Sequence, residues 1–195
     1  MEASTASAIG AVRELGRELG FVAEPVLVAE RSNLVLRLDL TDGPVIARVA
    51  LATSSARVGM QWLRREVEVS RYLSARGAPV TEPALRVDAG PHERRGFVIS
   101  FWRHEREIAE LPSPAAVGAT LATVHRALAS YPEDALPIWG GFREAREVMA
   151  RARATACFDS DERSRIERAW ERAERIVESV TGRTASFQAV HGDAH

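Results

Sequence analysis

The chain carries few side chains able to act on a substrate, and the densest group lies at its C-terminal end. Phe187 to Val190 is a short apolar run that reads as a buried strand, and it delivers the turn His191-Gly192-Asp193. A lone carboxylate on such a turn suits a base that orients a substrate hydroxyl. A different chemistry is open to the same residues. His191, Asp193 and His195 alternate, so on an extended strand they would share one face and could hold Zn²⁺ or Fe²⁺. Gly192 favours the turn. Upstream, Val45 to Val49 alternates so that Arg48 lies on the face opposite Ala47 and Val49. Arg is permanently charged and can grip two phosphate oxygens in a fork; otherwise Arg48 is an exposed strand residue. Glu66 stands between Leu63 and Val67 and so points toward a sheet, whereas Glu68 suits a solvated helix charge. His125, alone on an apolar helix face, reads as a hydrogen-bonded structural residue.

These side chains need elements to position them. Residues 7–19 have helical periodicity, with Ile9, Val12, Leu15 and Leu19 on one face and Gly20 as the stop. Pro25–Ala29, Asn33–Leu40 and Val45–Ala50 read as three antiparallel strands, the last two joined at Asp42-Gly43. A helix is expected from about Ser55 to Arg76, ended by Gly77 and Pro79. Leu85–Asp88 and Gly96–Trp102 read as two further strands around Gly90-Pro91. After Trp102 the pattern turns helical. Residues 114–129, 142–154 and 161–180 are expected helices, with a Pro-bearing loop at 131–141. In the last helix, Ile166, Ala169, Trp170, Ala173, Ile176, Val177 and Val180 line one face. Its expected cap is Ser160 or Asp161. Strands gathered at the start and helices at the end indicate an α+β fold, not an alternating α/β one.

Composition narrows the class. With 195 residues, 46% apolar and 27% charged, the chain has the make-up of a soluble globular protein. Its net charge of -1 gives no reason to expect nucleic acid or an anionic membrane as partner. All 26 basic residues are Arg, and the chain has no Lys. A single Cys157 excludes an internal disulfide and fits a reducing compartment. No signal peptide and no membrane-length apolar run is visible, so a cytoplasmic location is expected.

Five places together resemble the aminoglycoside phosphotransferase and choline kinase family, the small-molecule branch of the protein-kinase-like fold. They are Glu30-Arg31-Ser32-Asn33, the strand bearing Arg48, the helix bearing Glu66 with its Pro79-Val80 exit, the apolar strand Gly96–Trp102, and Leu121–His125 followed by the terminal motif. The resemblance runs from about residue 25 to residue 195. It implies a two-lobed fold, with a nucleotide-binding lobe at 1–100 and part of a helical lobe at 101–195. It implies that Ser32 and Asn33 cover the nucleotide phosphates, although Glu30 and Arg31 stand where family members usually have glycine. Arg48 takes the place of the third-strand Lys and Glu66 pairs with it. Ser100 and Phe101 belong to the strand leading into the hinge that meets the base. Asp193 is the catalytic base, braced by His191. The cofactors implied are ATP or GTP and Mg²⁺; the partner is a small-molecule hydroxyl acceptor.

The family's metal-binding Asn and Asp fall beyond His195, so no metal ligand is expected within the chain. The 195-residue polypeptide is therefore expected to be inactive. The expected activity of the family is transfer of the γ-phosphoryl group to that hydroxyl. The other reading is a nucleotide-binding or regulatory module without turnover.

Overall fold

The structure is a computed structural model that describes residues 5–51, 56–106, 109–132, 136, 142, 145–150, 158–183 and 187–191. Its Cα positions form two compact units, Met1–Ala127 and Leu128–His195.

The first unit is built on one sheet. Helix α1 (Thr5–Glu18) precedes strands β1 (Val26–Glu30), β2 (Asn33–Leu40) and β3 (Gly43–Ala50), then helix α2 (Ala56–Ser74) and strands β4 (His92–Arg94) and β5 (Phe97–Arg103). Helix α3 (Pro114–Leu128) closes the unit and reaches the boundary. The five strands run in the order β1-β2-β3-β5-β4, and all four pairings are antiparallel.

Alternation along the strands divides the sheet into two faces with different jobs. Leu34, Leu36 and Leu38 of β2, Val45, Ala47 and Val49 of β3, and Phe97, Ile99 and Phe101 of β5 lie on one face, all buried. Helix α1 covers that face with Ala8, Ala11, Val12 and Leu15, which form one cluster with them. The stripe works because residues three and four apart share a helix face. The periodicity had placed Val12 and Leu15 there, with Ile9 and Leu19 partly buried at the edges. The other face carries Val35, Arg48 and Ser100, and α2 lies over its Ala50–Val98 end through Leu63 and Met60.

Two expected strands are corrected. Leu85–Asp88 is not a strand. Leu85 is 84% exposed, and the segment loops out between two bonds to β5, Ala84 N–H to Phe101 O and Phe101 N–H to Ala89 O, each 2.9 Å. The strand beside β5 is β4 instead, and the turn that joins them is Arg95-Gly96, with φ of 52° and 80°. Two consecutive positive φ values are what a two-residue primed hairpin turn requires. Phe187–Val190 is also not a strand. It is coil with Val190 59% exposed, and among the described residues no strand is paired with it.

In the second unit, residues 145–150 are helical and a 24-residue helix spans Ser160–Arg183. Its cap is Asp159, one residue before the expected ones. The Asp159 carboxylate accepts from the N–H groups of Asp161 and Glu162, both at 2.8 Å, and Glu162 returns a bond to Asp159 N–H at 3.1 Å. This reciprocal arrangement satisfies donors on both sides and outcompetes a single hydroxyl. Trp170 stacks on Phe142, with ring centroids 4.5 Å apart, and its indole N–H donates to Glu174 at 3.0 Å.

Candidate active site

The second face of the sheet brings a cation and a carboxylate together. Arg48 lies opposite Val35 on β2 and Ser100 on β5, so these three share a face. On α2, Leu63, Val67, Ser70 and Leu73 are buried, and Glu66 falls on the same stripe. Arg48 Nη1 donates to Glu66 Oε2 at 2.6 Å, with the side chains 33% and 36% exposed. Glu68 is exposed, as its place one step round the helix dictates. Burial pushes the Glu66 carboxyl above its usual range, and the charge and hydrogen bond of Arg48, with a smaller pull from Arg65, only partly offset this. The pair is thus half-open: close enough for a strong bond, exposed enough for Arg48 to meet an anion from solution.

Ser32 and Asn33 sit at the adjoining end of the sheet. Asn33 pairs with Ala50, two positions from Arg48. The Arg31 N–H donates to Asn33 O at 3.0 Å and Leu51 N–H donates to Ser32 O at 3.3 Å, so the β1–β2 turn is fixed to the end of β3. Ser32 is exposed and Asn33 half-buried.

Ser100 and Phe101 are placed differently. Ser100 is fully buried, and its Oγ accepts from the Trp102 indole N–H at 2.9 Å. It supports the face beside Arg48 from within. Phe101 points to the α1 face, where it meets Phe21 edge-on at 5.8 Å between centroids. Its N–H and C=O already bond Ala89 and Ala84. The structure therefore does not bring Phe101 to the Arg48 face, because strand alternation sends neighbouring side chains to opposite sides.

His191 lies in the second unit, exposed and in coil. Asp193, like His195, lies outside the described residues. His125 is half-buried on α3 and engaged in interactions, in keeping with a structural role.

Sequence reasoning passed over Glu82. Its carboxylate accepts from Ser74 Oγ of α2 at 2.5 Å and from Arg103 Nη1 of β5 at 2.7 Å, and its backbone O accepts from Arg103 N–H at 2.9 Å. It ties the C-terminal end of α2 to the exit of β5. The contact joins residues far apart in sequence, so no local signal marked it. Among the described residues, no group of three or more His, Cys, Asp or Glu is placed to hold a metal ion. No helix among them is long and apolar enough to cross a membrane.

Among the solved structures that share this architecture is a thermostable mutant of aminoglycoside phosphotransferase APH(4)-Ia in ternary complex with ADP and hygromycin B. The TM-score is 0.53 at 15% identity, over 86% of this chain and 60% of that one. The fold is thus the α+β protein-kinase-like fold, with an antiparallel N-terminal sheet and helices. Residues 25–195 match the phosphotransferase enzyme family, and the chain belongs to that family. It spans 60% of the length of the solved structure it matches. No curated protein matches it.

Proposed function

We propose that the protein is a small-molecule kinase that moves the γ-phosphoryl group of ATP or GTP to a hydroxyl of its acceptor. The observation that carries this is the Arg48–Glu66 pair at 2.6 Å on the open face of the sheet. Arg48 would hold nucleotide phosphate, Glu66 would hold Arg48 in place, and Ser32 and Asn33 would meet the phosphates from the turn. Phosphoryl transfer asks the protein chiefly for positioning and charge stabilisation. A cation braced from behind by a carboxylate supplies both. Asp193 would orient the acceptor hydroxyl, with His191 bracing the loop. The solved relative in complex with ADP and hygromycin B supports a nucleotide and a small-molecule acceptor. Mg²⁺ belongs to the same reading and would neutralise the charge of the nucleotide phosphates when bound. A cytoplasmic location, in reach of the nucleotide pool, belongs to the same reading.

The test couples binding to turnover. Calorimetry with ATP and GTP should give a saturable isotherm that Arg48→Ala weakens. In a longer version of the protein, nucleotide consumption should then rise with at least one of a panel of aminoglycoside, amino-alcohol, choline-like and sugar acceptors. Binding without acceptor-dependent consumption would favour the module without turnover, and absence of nucleotide binding would overturn both.

A further inference from the structure

We propose that Arg31, at the tip of the β1–β2 turn, is a second phosphate-binding residue that takes the terminal phosphates of the nucleotide through its side chain. This rests on the nucleotide reading above and adds a specific residue to it.

Register fixes where Arg31 lies. Glu30 pairs with Leu34, and one step further Arg31 stands opposite Asn33, to whose carbonyl its own N–H donates. Opposed residues share a face. Leu34 belongs to the α1 face, and Glu30 follows it there: its Oε1 accepts from Thr5 Oγ1 of α1 at 2.7 Å. Asn33 and its partner Ala50 lie on the Arg48 face, and Arg31, in the turn just beyond β1, is held beside Asn33 by its own N–H. Two residues, about 7 Å of strand, separate the Asn33–Ala50 pair from Arg48.

Charge then separates the two arginines. Arg48 is compensated by Glu66. Arg31 is exposed, and among the described residues its guanidinium has no ion pair or hydrogen bond. The one carboxylate beside it in sequence, that of Glu30, is turned to the other face by Thr5. Among the described residues, this end of the sheet therefore carries a positive charge without a counter-charge, next to the Ser32 hydroxyl.

The backbone explains why a side chain is needed. A turn binds anions with free N–H groups. Here the Arg31 N–H is spent on Asn33 O, and the turn is pinned by the Ser32–Leu51 bond. With that N–H spent, the Arg31 guanidinium adds to the turn a rigid fork matched to phosphate.

The experiment is titration calorimetry of the chain with ATP, ADP, AMP and adenosine, comparing the wild type with Arg31→Ala, Arg31→Lys and, as a control on the far helix, Arg17→Ala. Arg31→Ala should weaken ATP binding about three- to tenfold, ADP less, and adenosine not at all, the scale of one partly exposed charge-assisted contact. Arg31→Lys should recover part of the loss and Arg17→Ala should match the wild type. An equal loss for all four ligands would mean that the turn had merely been disturbed, and an unchanged ATP affinity would mean that Arg31 does not touch phosphate; either overturns the proposal while leaving the nucleotide reading intact. A wild type that binds none of the four overturns both.

Discussion

The Arg48–Glu66 pair can be measured apart from any activity. One N–H···O bond of 2.6 Å joins two charged groups that are each about one-third exposed, 33% and 36%. Fully exposed pairs contribute about 0.2–1 kcal/mol, while breaking a buried pair costs about 3–5 kcal/mol. Partial exposure sets this pair between those limits, so a coupling of about 1–2 kcal/mol is expected, in the range of hydrogen bonds to charged groups discounted for solvent. The assay is a double-mutant cycle of Arg48→Ala, Glu66→Ala and the double variant by urea unfolding. Arg48→Ala should cost more than Glu66→Ala. The first strands a carboxylate that burial already disfavours, and the second leaves an arginine that reaches water. In nucleotide titrations, both single variants should weaken binding and the double variant should fall short of their sum. A coupling within the roughly 0.3–0.5 kcal/mol scatter of independent sites would refute the reasoning.

Glu66 also gives the fold a pH signature. Its carboxyl is raised in the folded state, so the folded chain holds that proton more tightly than the unfolded one. The resulting stability is fully present below the ordinary carboxyl value of 4.5 and is lost as pH rises through the raised value. Urea midpoints of the wild type relative to Glu66→Gln should therefore fall as pH climbs from about 4 toward neutrality; a flat or rising difference would be wrong for this assignment. Gly90→Ala should destabilise the fold by at least about 1–3 kcal/mol, because its φ is 80° and a Cβ there would meet His92 N at 2.9 Å and Ile99 O at 3.0 Å. Leu36→Ala, fully buried under α1, should cost about 2–5 kcal/mol by the same unfolding assay. If Asp193 orients the acceptor hydroxyl, Asp193→Asn in a longer version of the protein should leave nucleotide affinity nearly unchanged while lowering kcat by about 10² or more; near-wild-type turnover would remove it from the site.

The first sheet was legible because its signals are local. β2 alternates Leu34, Leu36, Leu38 and Leu40, and the Asp42-Gly43 turn fixes where β3 must return. Once that register is set, Arg48 has only one face to occupy, and the helix position of Glu66 between Leu63 and Val67 completes the pair. The failures share a cause. Leu85–Asp88 has the residues of a strand, yet a strand exists only where a neighbour accepts its backbone bonds, and β5 offers that ladder to His92–Arg94. Phe187–Val190 fails in the same way. The resemblance put Phe101 in the strand leading into the hinge, and Phe97 to Trp102 of that strand are all buried, so its alternation is not visible in the sequence. Which of its side chains faced α1 became visible only through pairing with β3.

That division of faces is also what lets a small sheet hold charge. The α1 side is sealed by aliphatic and aromatic side chains, and the surface pairs of Arg95 with Glu14 and Arg94 with Glu18 tie the helix to the β4–β5 hairpin. With the centre of one face dry, the polar residues at the middle of the sheet, Arg48 and Ser100, lie on the other, where α2 covers only part of the sheet. A Lys on β3 would be a flexible point charge that loses its proton readily when desolvated. Arg48 stays charged whatever its burial, so the cost of desolvation falls on its partner, and Glu66 carries it as a raised carboxyl. A phosphate approaching Arg48 then meets a cation that is held in place but only partly compensated. In a chain without lysine, the planar fork of Arg48, braced on one side by Glu66, leaves its remaining donors for the ligand.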